Sequence, residues 1–442
     1  MVFKKFAETF FAIILFSSPA YSQWFPQNSG VTTQLNSVFF TDQNTGFIAS
    51  DSGKILRTTN GGTSWSVSLL FDSSISYNSI SFPNLTTGYI AGRILNLINN
   101  IEIKPIIIKT TNAGLNWFSV LNDTAHTLRA VYFMNPNTGF AAGGLYGLAD
   151  NYLLSTTNGG ASWQNSSPGN GYLYSITFKD ALTGYMTTFS SGIFKSTDAG
   201  TSWSLNQSEP ASLILSMFFV DANLGFMTGG DSFGIDSSGV IYKTVNGGNN
   251  WSLVYNDHKG MINSVKFVSS QIGFAAGTFD MIAEPGNLLP GRIIKTTNSG
   301  SSWFIDTLFT NASGFTSLYF TNALTGYVVG SNGEIFKTTT GGNPMGIVPV
   351  SKDIPKEFSL SQNYPNPFNP TTTIKFSISK ESFAKLSVFD ILGNEVNVLV
   401  NQDLKAGEYK VSFDATNLAS GVYFYKLSAG DFVSTKKLAV LK

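Results

Sequence analysis

Short runs in which apolar and polar residues alternate recur along most of the chain, and turns that contain Asn and Gly separate them. The runs are rich in Val, Ile, Phe, Tyr and Thr, which are typical strand residues. Successive side chains of a strand point to opposite faces, so each run predicts a strand and each turn predicts a hairpin. The pattern therefore predicts an all-β fold.

One unit of this pattern is repeated seven times. Each copy starts with a short strand that ends in Phe, continues with a Gly-aromatic pair such as Gly46-Phe47, and ends in a Gly-containing turn. The period of about 40 to 53 residues fits the four-stranded blade of a propeller, whose faces are buried only by stacking on other blades. We therefore predict a seven-bladed β-propeller over residues 23–343. The strand-ending residues are Phe40, Phe82, Phe133, Phe178, Phe219, Phe267 and Phe320.

The tryptophans predict how the ring closes. Six of them follow the turns and lie 15 to 17 residues before the Phe that ends the next first strand. The seventh, Trp24, lies 16 residues before Phe40 without a turn of its own, whereas the last turn, at Gly341-Gly342, has no tryptophan. We infer that residues 24–29 supply the fourth strand of the seventh blade. The alternative is that Trp24 has this register by coincidence.

The turn before each tryptophan has similar chemistry in six copies. Its Asn or Asp side chain can accept backbone N–H groups, its Gly permits a positive φ, and its Trp ring packs on the blade. The turn resembles the Asp-box of bacterial neuraminidase (BNR) repeats, although Asp is replaced by Asn in five copies. Six evenly spaced copies favour a structural role over a sugar site. The residues are Asn60 and Trp65, Asn112 and Trp117, Asn158 and Trp163, Asp198 and Trp203, Asn246 and Trp251, and Asn298 and Trp303.

The whole unit, with its Gly-aromatic pair and its Lys-Thr-Thr-Asn-Gly-Gly-x-x-Trp turn, also resembles the propellers of the photosystem II assembly and stability factor family. The resemblance covers residues 24–343. It implies the fold rather than the role, because one fold carries many functions. The composition and the C-terminal region argue against a photosynthetic setting.

The repeat disappears after residue 343, and residues 344–356 are predicted as a linker. An Asn- and Pro-rich segment follows at residues 363–370, where the Pro residues exclude a helix. Alternating runs separated by Gly and Asn turns then predict a small Ig-like antiparallel β-sandwich over residues 357–442. The predicted strands are residues 372–378, 385–389, 395–400, 409–413, 422–427 and 432–438.

Three motifs of this region occur in order: Tyr-Pro-Asn-Pro-Phe-Asn-Pro-Thr-Thr from Tyr364, Val-Phe-Asp-Ile-Leu-Gly from Val388 and Ala-Ser-Gly-Val-Tyr-Phe-Tyr from Ala419. Together they closely resemble the type A C-terminal sorting domain of the type IX (Por) secretion system. The resemblance implies a Gram-negative host of the Bacteroidota type, Sec export, passage across the outer membrane and removal of this domain at the surface. The type IX machinery is then a partner of residues 357–442. The alternative is an Ig-like sandwich that binds a ligand.

The N-terminus has the layout of a secretory signal peptide. Two lysines precede a short apolar run at residues 10–16, and Ala20 and Ser22 are the small residues of a cleavage site before Gln23. The alternative, a membrane anchor, needs about 20 apolar residues, more than this run supplies. We expect residues 1–22 to be removed, the mature chain to have no transmembrane segment, and the protein to be secreted or held at the outer-membrane surface.

The composition argues against several classes of site. The 442 residues include no Cys and two His, His126 and His258, which excludes thiolate sites and leaves little room for a multi-His metal site. The formal net charge is zero, with 27 basic and 27 acidic residues, so the basic excess of a nucleic-acid binder is missing. We predict no cofactor, no metal and no nucleic-acid partner.

The arginines argue against a sialic-acid hydrolase, which needs three of them around the substrate carboxylate. The chain has four. Arg57 replaces the Lys of other copies, Arg292 lies three residues before such a Lys, and Arg129 directly precedes a first strand. That leaves Arg93 as the one arginine in an insertion. No Ser-His-Asp order or phosphate-binding Gly loop stands out, and we predict no catalytic residue.

Loop lengths indicate where a ligand would bind. Four copies carry insertions between their second and third strands, at residues 93–105, 144–151, 231–239 and 278–290. These connections share one face, opposite the Trp turns, and binding sites are usually built on loops of a rigid scaffold. The alternative is neutral drift of the insertions. The candidate ligand-binding residues are Arg93, Tyr146, Asp150, Asp231, Phe233, Asp236, Asp280 and Glu284.

These observations predict a binding or structural module that is exported to the cell surface, with an extracellular glycan or protein as its ligand. The alternative is a glycan-acting hydrolase on the same scaffold, which would need two facing carboxylates, and Asp280 or Glu284 could supply one. Residues 231–236 resemble a calcium loop without its full ligand spacing, so no calcium site is predicted.

Overall fold

The computed structural model describes residues 24–69, 72–95, 103–121, 126–145, 150–166, 168–169, 171–189, 192–207, 213–230, 238–257, 260–278, 290–341, 348–351, 355–415 and 418–441. Within these ranges all regular structure is β-strand except one 3₁₀ turn, Ser331–Gly333. The chain divides into two compact units, one formed by Trp24–Gly342 and the other containing Asn343–Lys442. No helix among the described residues has the length and apolar character needed to cross a membrane.

The first unit is built from four-stranded antiparallel sheets, which are the blades. Their strands are β1 (Phe25–Gln27), β2 (Leu35–Phe40), β3 (Gly46–Ser50), β4 (Lys54–Thr58), β5 (Ser66–Leu69), β6 (Ile75–Ser81), β7 (Gly88–Leu95), β8 (Ile103–Thr110), β9 (Phe118–Ser119), β10 (Thr127–Phe133), β11 (Gly139–Leu145), β12 (Asp150–Thr156), β13 (Gln164–Asn165), β14 (Leu173–Phe178), β15 (Gly184–Thr188), β16 (Ile193–Ser196), β17 (Ser204–Gln207), β18 (Leu213–Phe219), β19 (Gly225–Gly230), β20 (Gly239–Thr244), β21 (Ser252–Asp257), β22 (Ile262–Phe267), β23 (Gly273–Thr278), β24 (Pro290–Thr296), β25 (Phe304–Ser313), β26 (Phe315–Phe320), β27 (Gly326–Gly330) and β28 (Ile335–Thr338).

Seven blades follow from the order of these strands. Blades 1 to 6 are β2–β5, β6–β9, β10–β13, β14–β17, β18–β21 and β22–β25, each a meander of consecutive strands. Blade 7 combines β26, β27 and β28 with β1 from the other end of the propeller. The prediction of a seven-bladed propeller is confirmed.

The first strand of each blade contacts the first strand of the next blade, and β26 contacts β2, so the seven strands form a closed ring around a channel. Each blade buries its faces against its neighbours. One cluster, for example, joins Phe47 of blade 1 to Ile80 and Ile108 of blade 2. The hydrophobic core of the propeller is therefore divided among the blade–blade contacts.

Every first strand contains a β-bulge at its second, third or fourth residue. Where this residue is Asn, its side chain binds the next blade. Asn36 Nδ2 donates to Tyr77 O at 2.9 Å, and Asn78 Nδ2 donates to Leu128 O at 2.6 Å. The bulge thus directs this side chain toward the first strand of the neighbouring blade. The bulged residues are Asn36, Asn78, Arg129, Tyr174, Leu215, Asn263 and Thr316.

The N-terminal strand closes the ring, as predicted. β1 runs antiparallel to β28, with Phe25 opposite Lys337 and Gln27 opposite Ile335. Without β1 the last blade would have three strands, and β28 would be left as an open edge.

Trp24 occupies in blade 7 the place that the turn tryptophans occupy in other blades. Its ring meets Phe320 of blade 7 and Phe274 of blade 6 edge-on, with centroid distances of 5.9 and 6.5 Å. Trp303 of blade 6 packs in the same way on two Phe rings of blades 5 and 6. Trp24 is 1% exposed, and its Nε1 donates to Asp306 Oδ2 at 3.2 Å. The sixteen-residue register therefore reflects a repeated packing position.

The second unit is a sandwich of two antiparallel sheets, in the orders β29-β34-β31-β30 and β33-β32-β35-β36. The alternating runs predicted this: Ile374 and Phe376 of one sheet and Leu386 and Val388 of the other share one core. The strands are β29 (Val348–Ser351), β30 (Ser359–Leu360), β31 (Thr371–Ile378), β32 (Ser382–Phe389), β33 (Glu395–Leu404), β34 (Gly407–Asp414), β35 (Gly421–Ala429) and β36 (Phe432–Val440).

The segment predicted as a linker, residues 344–356, differs in one respect. Its residues 348–351 form β29, which pairs with β34 at the edge of the sandwich. Pro349 is compatible with this place, because an edge strand can leave one side without N–H donors. The linker was predicted because the repeat ends before this segment, and the pairing partner lies some 60 residues further along the chain, beyond any local pattern.

Trp24→Ala is expected to destabilise the propeller by about 3–5 kcal/mol, because it removes a fully buried indole and leaves a cavity between two blades. Urea unfolding of the full chain measures this. Phe25→Ala is the matched control, because Phe25 lies in the same strand but is 43% exposed. An unfolding midpoint of Trp24→Ala equal to that of the wild type would contradict the closure.

Burial raises the pKa of Asp306 to about 6, against the opposing effects of Lys295 and the Trp24 hydrogen bond. A carboxyl whose pKa is higher in the folded than in the unfolded chain favours folding when protonated, and this contribution is lost as pH rises through about 4 to 6. Asp306→Asn keeps an acceptor for Trp24 and removes the charge. We expect it to be more stable than the wild type by about 1–2 kcal/mol at neutral pH, with the difference vanishing near pH 4. Parallel stability–pH curves for the two proteins would refute this.

Candidate functional site

The meander gives the propeller two faces. Connections from first to second strand and from third to fourth strand lie on one face, and the remaining connections lie on the other. We call the first the turn face, because it carries the six Trp turns, and the second the loop face, because it carries the four predicted insertions.

Each Trp turn is closed by its own side chains. In blade 1, Thr58 Oγ1 donates to Asn60 Oδ1 at 2.9 Å, and Asn60 Oδ1 accepts the backbone N–H of Ser64 at 2.9 Å. The Gly62 N–H donates to Thr58 Oγ1 at 2.9 Å. Asn112, Asn158, Asn246 and Asn298 accept the backbone N–H four residues on in the same way.

Blade 4 carries Asp in this position, and its carboxylate is also used within the turn. Asp198 accepts the hydroxyl of Ser202 at 2.6 Å and its backbone N–H at 2.9 Å, and the hydroxyl of Ser196 at 2.8 Å. These bonds, those from Ser202 first, lower the pKa of Asp198 to about 2. A carboxylate held ionised by its own turn is a poor general acid.

The turns also join each blade to the one before it. Lys109 of blade 2 lies over the ring of Tyr89, and both Lys109 Nζ and Tyr89 OH donate to Gly159 O in the turn of blade 3, at 2.8 and 3.1 Å. Lys337 Nζ and Tyr327 OH of blade 7 do the same to Gly61 O of blade 1, at 2.6 and 2.7 Å. We call this contact, in which a strand-borne cation and an aromatic side chain reach a backbone carbonyl in the turn of the next blade, the latch. The latch continues across the closure of the ring.

Where the aromatic residue of the latch is Phe, its ring packs on the turn glycine instead. A Cβ added to Gly114 would lie 2.2 Å from Phe47 of the preceding blade, so the close approach requires Gly there. Arg57 of blade 1 keeps the polar part of the latch, with Nε donating to Ala113 O at 3.1 Å. The contacts described for these turn residues are with other parts of the propeller, which supports the structural role expected for them.

On the loop face, the structure describes a minority of the predicted ligand-binding residues. Arg93 lies near the end of β7, opposite Ser76 and Pro105, and is half-buried. Asp150 starts β12 opposite Leu145. The other candidates lie outside the described residues and stay predictions: Tyr146, Asp231, Phe233, Asp236, Asp280 and Glu284.

Arg93 lies close to a second arginine, Arg129, the bulged residue of blade 3. Burial lowers the pKa of Arg93, and the positive charge of Arg129 lowers it further, against weaker opposing effects of Tyr172 and Asp51. Arg93 Nε is buried and donates to no acceptor among the described residues. Neither guanidinium forms an ion pair with a described residue. Two guanidinium groups whose charges act on each other therefore have no carboxylate ion-pair partner in the part of the chain that the structure describes.

Two tyrosines of blade 4 hold Arg129 in place. Its Nε donates to Tyr172 OH at 3.1 Å, and its guanidinium carbon lies 6.0 and 5.9 Å from the ring centroids of Tyr172 and Tyr174. The buried Tyr172 OH is also within 2.7 Å of Thr127 Oγ1. We call Arg93, Arg129, Tyr172 and Tyr174 the arginine rim.

The rim is bordered by polar side chains that are already paired. Asp51 Oδ1 accepts Asn36 Nδ2 at 2.8 Å and Ser76 Oγ at 2.6 Å. His126 stacks on Tyr152 with a centroid distance of 4.1 Å. Among the described residues no cluster of three or more His, Asp or Glu side chains could hold a metal ion.

The remaining arginines are used by the fold. Arg57 belongs to the latch. Arg292 is 1% exposed and forms a bidentate ion pair with Asp257, which joins blade 6 to blade 5. Sequence reasoning singled out Arg93 but set Arg129 aside and did not consider Tyr172 and Tyr174. A signal for Arg129 is present, because the bulge position is Asn in three other copies and Arg in this one.

Two family models match separate parts of the chain. The model described as the secretion system C-terminal sorting domain matches residues 362–441, and that of photosynthesis system II assembly factor YCF48 matches residues 16–124. The chain joins YCF48-like propeller repeats to a secretion sorting domain. The sorting domain implies export by the type IX system to the cell surface or beyond. No curated protein matches the sequence.

Solved structures with the same fold have low sequence identity. A structure of YCF48 bound to D1 peptide is 16% identical, with a TM-score of 0.54, and the alignment covers 73% of this chain and 100% of that one. YCF48 from Cyanidioschyzon merolae is also 16% identical, at a TM-score of 0.52, with 71% and 98% covered. An ancestral GH74 enzyme is 14% identical at 0.52, with 94% and 63% covered. These similarities show the fold and leave the role open.

Proposed function

We propose that the protein is an extracellular binding module whose propeller takes an anionic group of a glycan or protein at the arginine rim. The observation that carries this proposal is the pair Arg93 and Arg129, two neighbouring guanidinium groups without an ion-pair partner among the described residues. In a chain with as many acidic as basic residues, two cations placed together favour a ligand that brings the missing negative charge.

The tyrosines of the rim support the same proposal. Tyr174 is half-buried, stands edge-on to Tyr172 at 5.0 Å and offers a face beside the charged pair. Aromatic faces next to polar groups suit both sugar rings and side chains of a protein. The alternative of a glycan-acting hydrolase rests on Asp280 and Glu284, which lie outside the described residues, and no described contact favours it.

Arg93→Gln with Arg129→Gln is expected to abolish binding to the acidic members of a glycan and peptide array and to leave the fold intact. Loss of two charge-assisted contacts predicts at least a roughly hundredfold weaker affinity. The matched control is Lys356→Gln with Lys380→Gln, which removes two positive charges from exposed sites of the other unit. Equal binding by both double variants, or binding confined to neutral ligands, would exclude the rim.

We also infer that residues 1–22 are removed during export, that 23–343 is the working propeller and that 357–442 serves as the export address. Because the two units are compact separately, deletion of 357–442 should leave a folded propeller that stays in the periplasm. Fractionation and surface protease accessibility measure this. Normal surface delivery of the truncated chain would show that the sorting information lies elsewhere.

A further inference from the structure

The central channel encloses about 470 Å³ and is lined by residues from all seven first strands. Its loop-face end is formed by the bulged residues described above. Nearer the turn face is a second layer, formed by the residue three positions after the bulged residue of each first strand. These residues are Phe39, Ser81, Tyr132, Thr177, Phe218, Lys266 and Tyr319, of which all but Phe218 line the channel.

Lys266 is the one charged residue of this second layer. Its ammonium lies 5.0 Å from the ring centroid of Phe218, and it makes no hydrogen bond or ion pair with any described residue. Latch lysines such as Lys109 and Lys337 instead donate to backbone carbonyls. No acidic residue is among the described residues that line the channel. The other cation is Arg129, at the loop-face end and on blade 3, whereas Lys266 belongs to blade 6.

An ammonium held in such a place without a counter-ion is unfavourable for folding. Burial lowers the pKa of Lys266 to about 8, so the amine is still mainly protonated at neutral pH. Ser81, Thr177 and the aromatic residues of other blades show that this position does not require a cation. A destabilising residue in a cavity of ligand size points to binding.

We propose that the channel is a second binding site, in which Lys266 receives the carboxylate of a small aryl or alkyl carboxylic acid. The apolar part of the ligand would lie against the aromatic residues of the same layer. Phe39 and Tyr319 are 5.2 Å apart between ring centroids, and Phe218 lies under the amine itself. The volume is at the small end of ligand pockets, which suits a single small acid. The site lies at the opposite end of the channel from Arg129 and is independent of the ligand of the arginine rim.

Calorimetric titration of the full chain with 3-phenylpropionate and with its neutral amide tests the proposal. One charge-assisted hydrogen bond predicts that the acid binds about tenfold or more tightly than the amide. In Lys266→Met this preference should disappear, because the side chain keeps its length and loses its charge. Lys54→Met is the control, since Lys54 starts β4 away from the channel and should leave the preference unchanged. Equal binding of acid and amide by the wild type, or an unchanged preference in Lys266→Met, overturns the proposal.

Two further measurements keep the result interpretable. Without ligand, Lys266→Met should unfold at a temperature no lower than the wild type, because it removes an unpaired cation; a clearly lower temperature would contradict the proposal. In the wild type, affinity for the acid should fall above about pH 8, by roughly tenfold per pH unit, as the amine loses its proton. The other titratable residues of the channel are Arg129, Tyr132, Tyr174 and Tyr319, and burial raises the pKa of Tyr132 and Tyr319. An affinity that stays constant to about pH 10 would overturn the assignment to Lys266.

Discussion

The structure depends on the contact between a blade and the turn of the blade that follows it. A four-stranded sheet has two apolar faces and cannot bury both alone, so each blade is stable only within the ring. The latch of a strand-borne cation, an aromatic ring and a turn carbonyl sets the distance and angle of that contact. The cation contacts a turn carbonyl in blades 1, 2, 6 and 7, through Arg57, Lys109, Lys295 and Lys337, so the contact continues across the closure of the ring. The channel, its bulges and both faces are then placed by the ring.

Most of the fold could be predicted from the sequence because the repeat is periodic and each copy reports on the others. Trp24 is the clearest example. It lies 16 residues before Phe40, within the sequence spacing of 15 to 17 residues that the six turn tryptophans have. From that spacing its packing on Phe320 of the last blade could be inferred. The edge strand β29 was missed because it depends on pairing with β34, far along the chain. Local alternation carries no information on a partner at that separation.

The candidate site was harder to predict, for a physical reason. A charged residue in a loop attracts attention from sequence, whereas Arg129 is hidden inside a strand and reaches the loop face through a bulge. Sequence alone does not reveal which side chain a bulge turns toward the channel mouth. The repeat nevertheless helps to locate candidate sites, because a residue that differs from its equivalents in the other copies can be recognised from sequence. Arg129 and Lys266 each stand at a strand position that most other copies fill with an uncharged residue, and those departures mark the two ends of the channel.

The pairing of β1 with β28 also has a consequence for the order of events during folding. β1 is the first strand of the propeller to emerge from a ribosome or a translocation pore, and β28 is the last. Blades 1 to 6 each have all four of their strands consecutive in the chain, so those strands can pair as the chain arrives, but blade 7 must wait for both chain ends. Until then, the N-terminal segment has no partner and β2 has no neighbouring blade on one side. A chain delivered from its N-terminus therefore completes its ring in a single late step. The edges of the last blade stay exposed until β28, the last propeller strand before the sorting domain, has arrived.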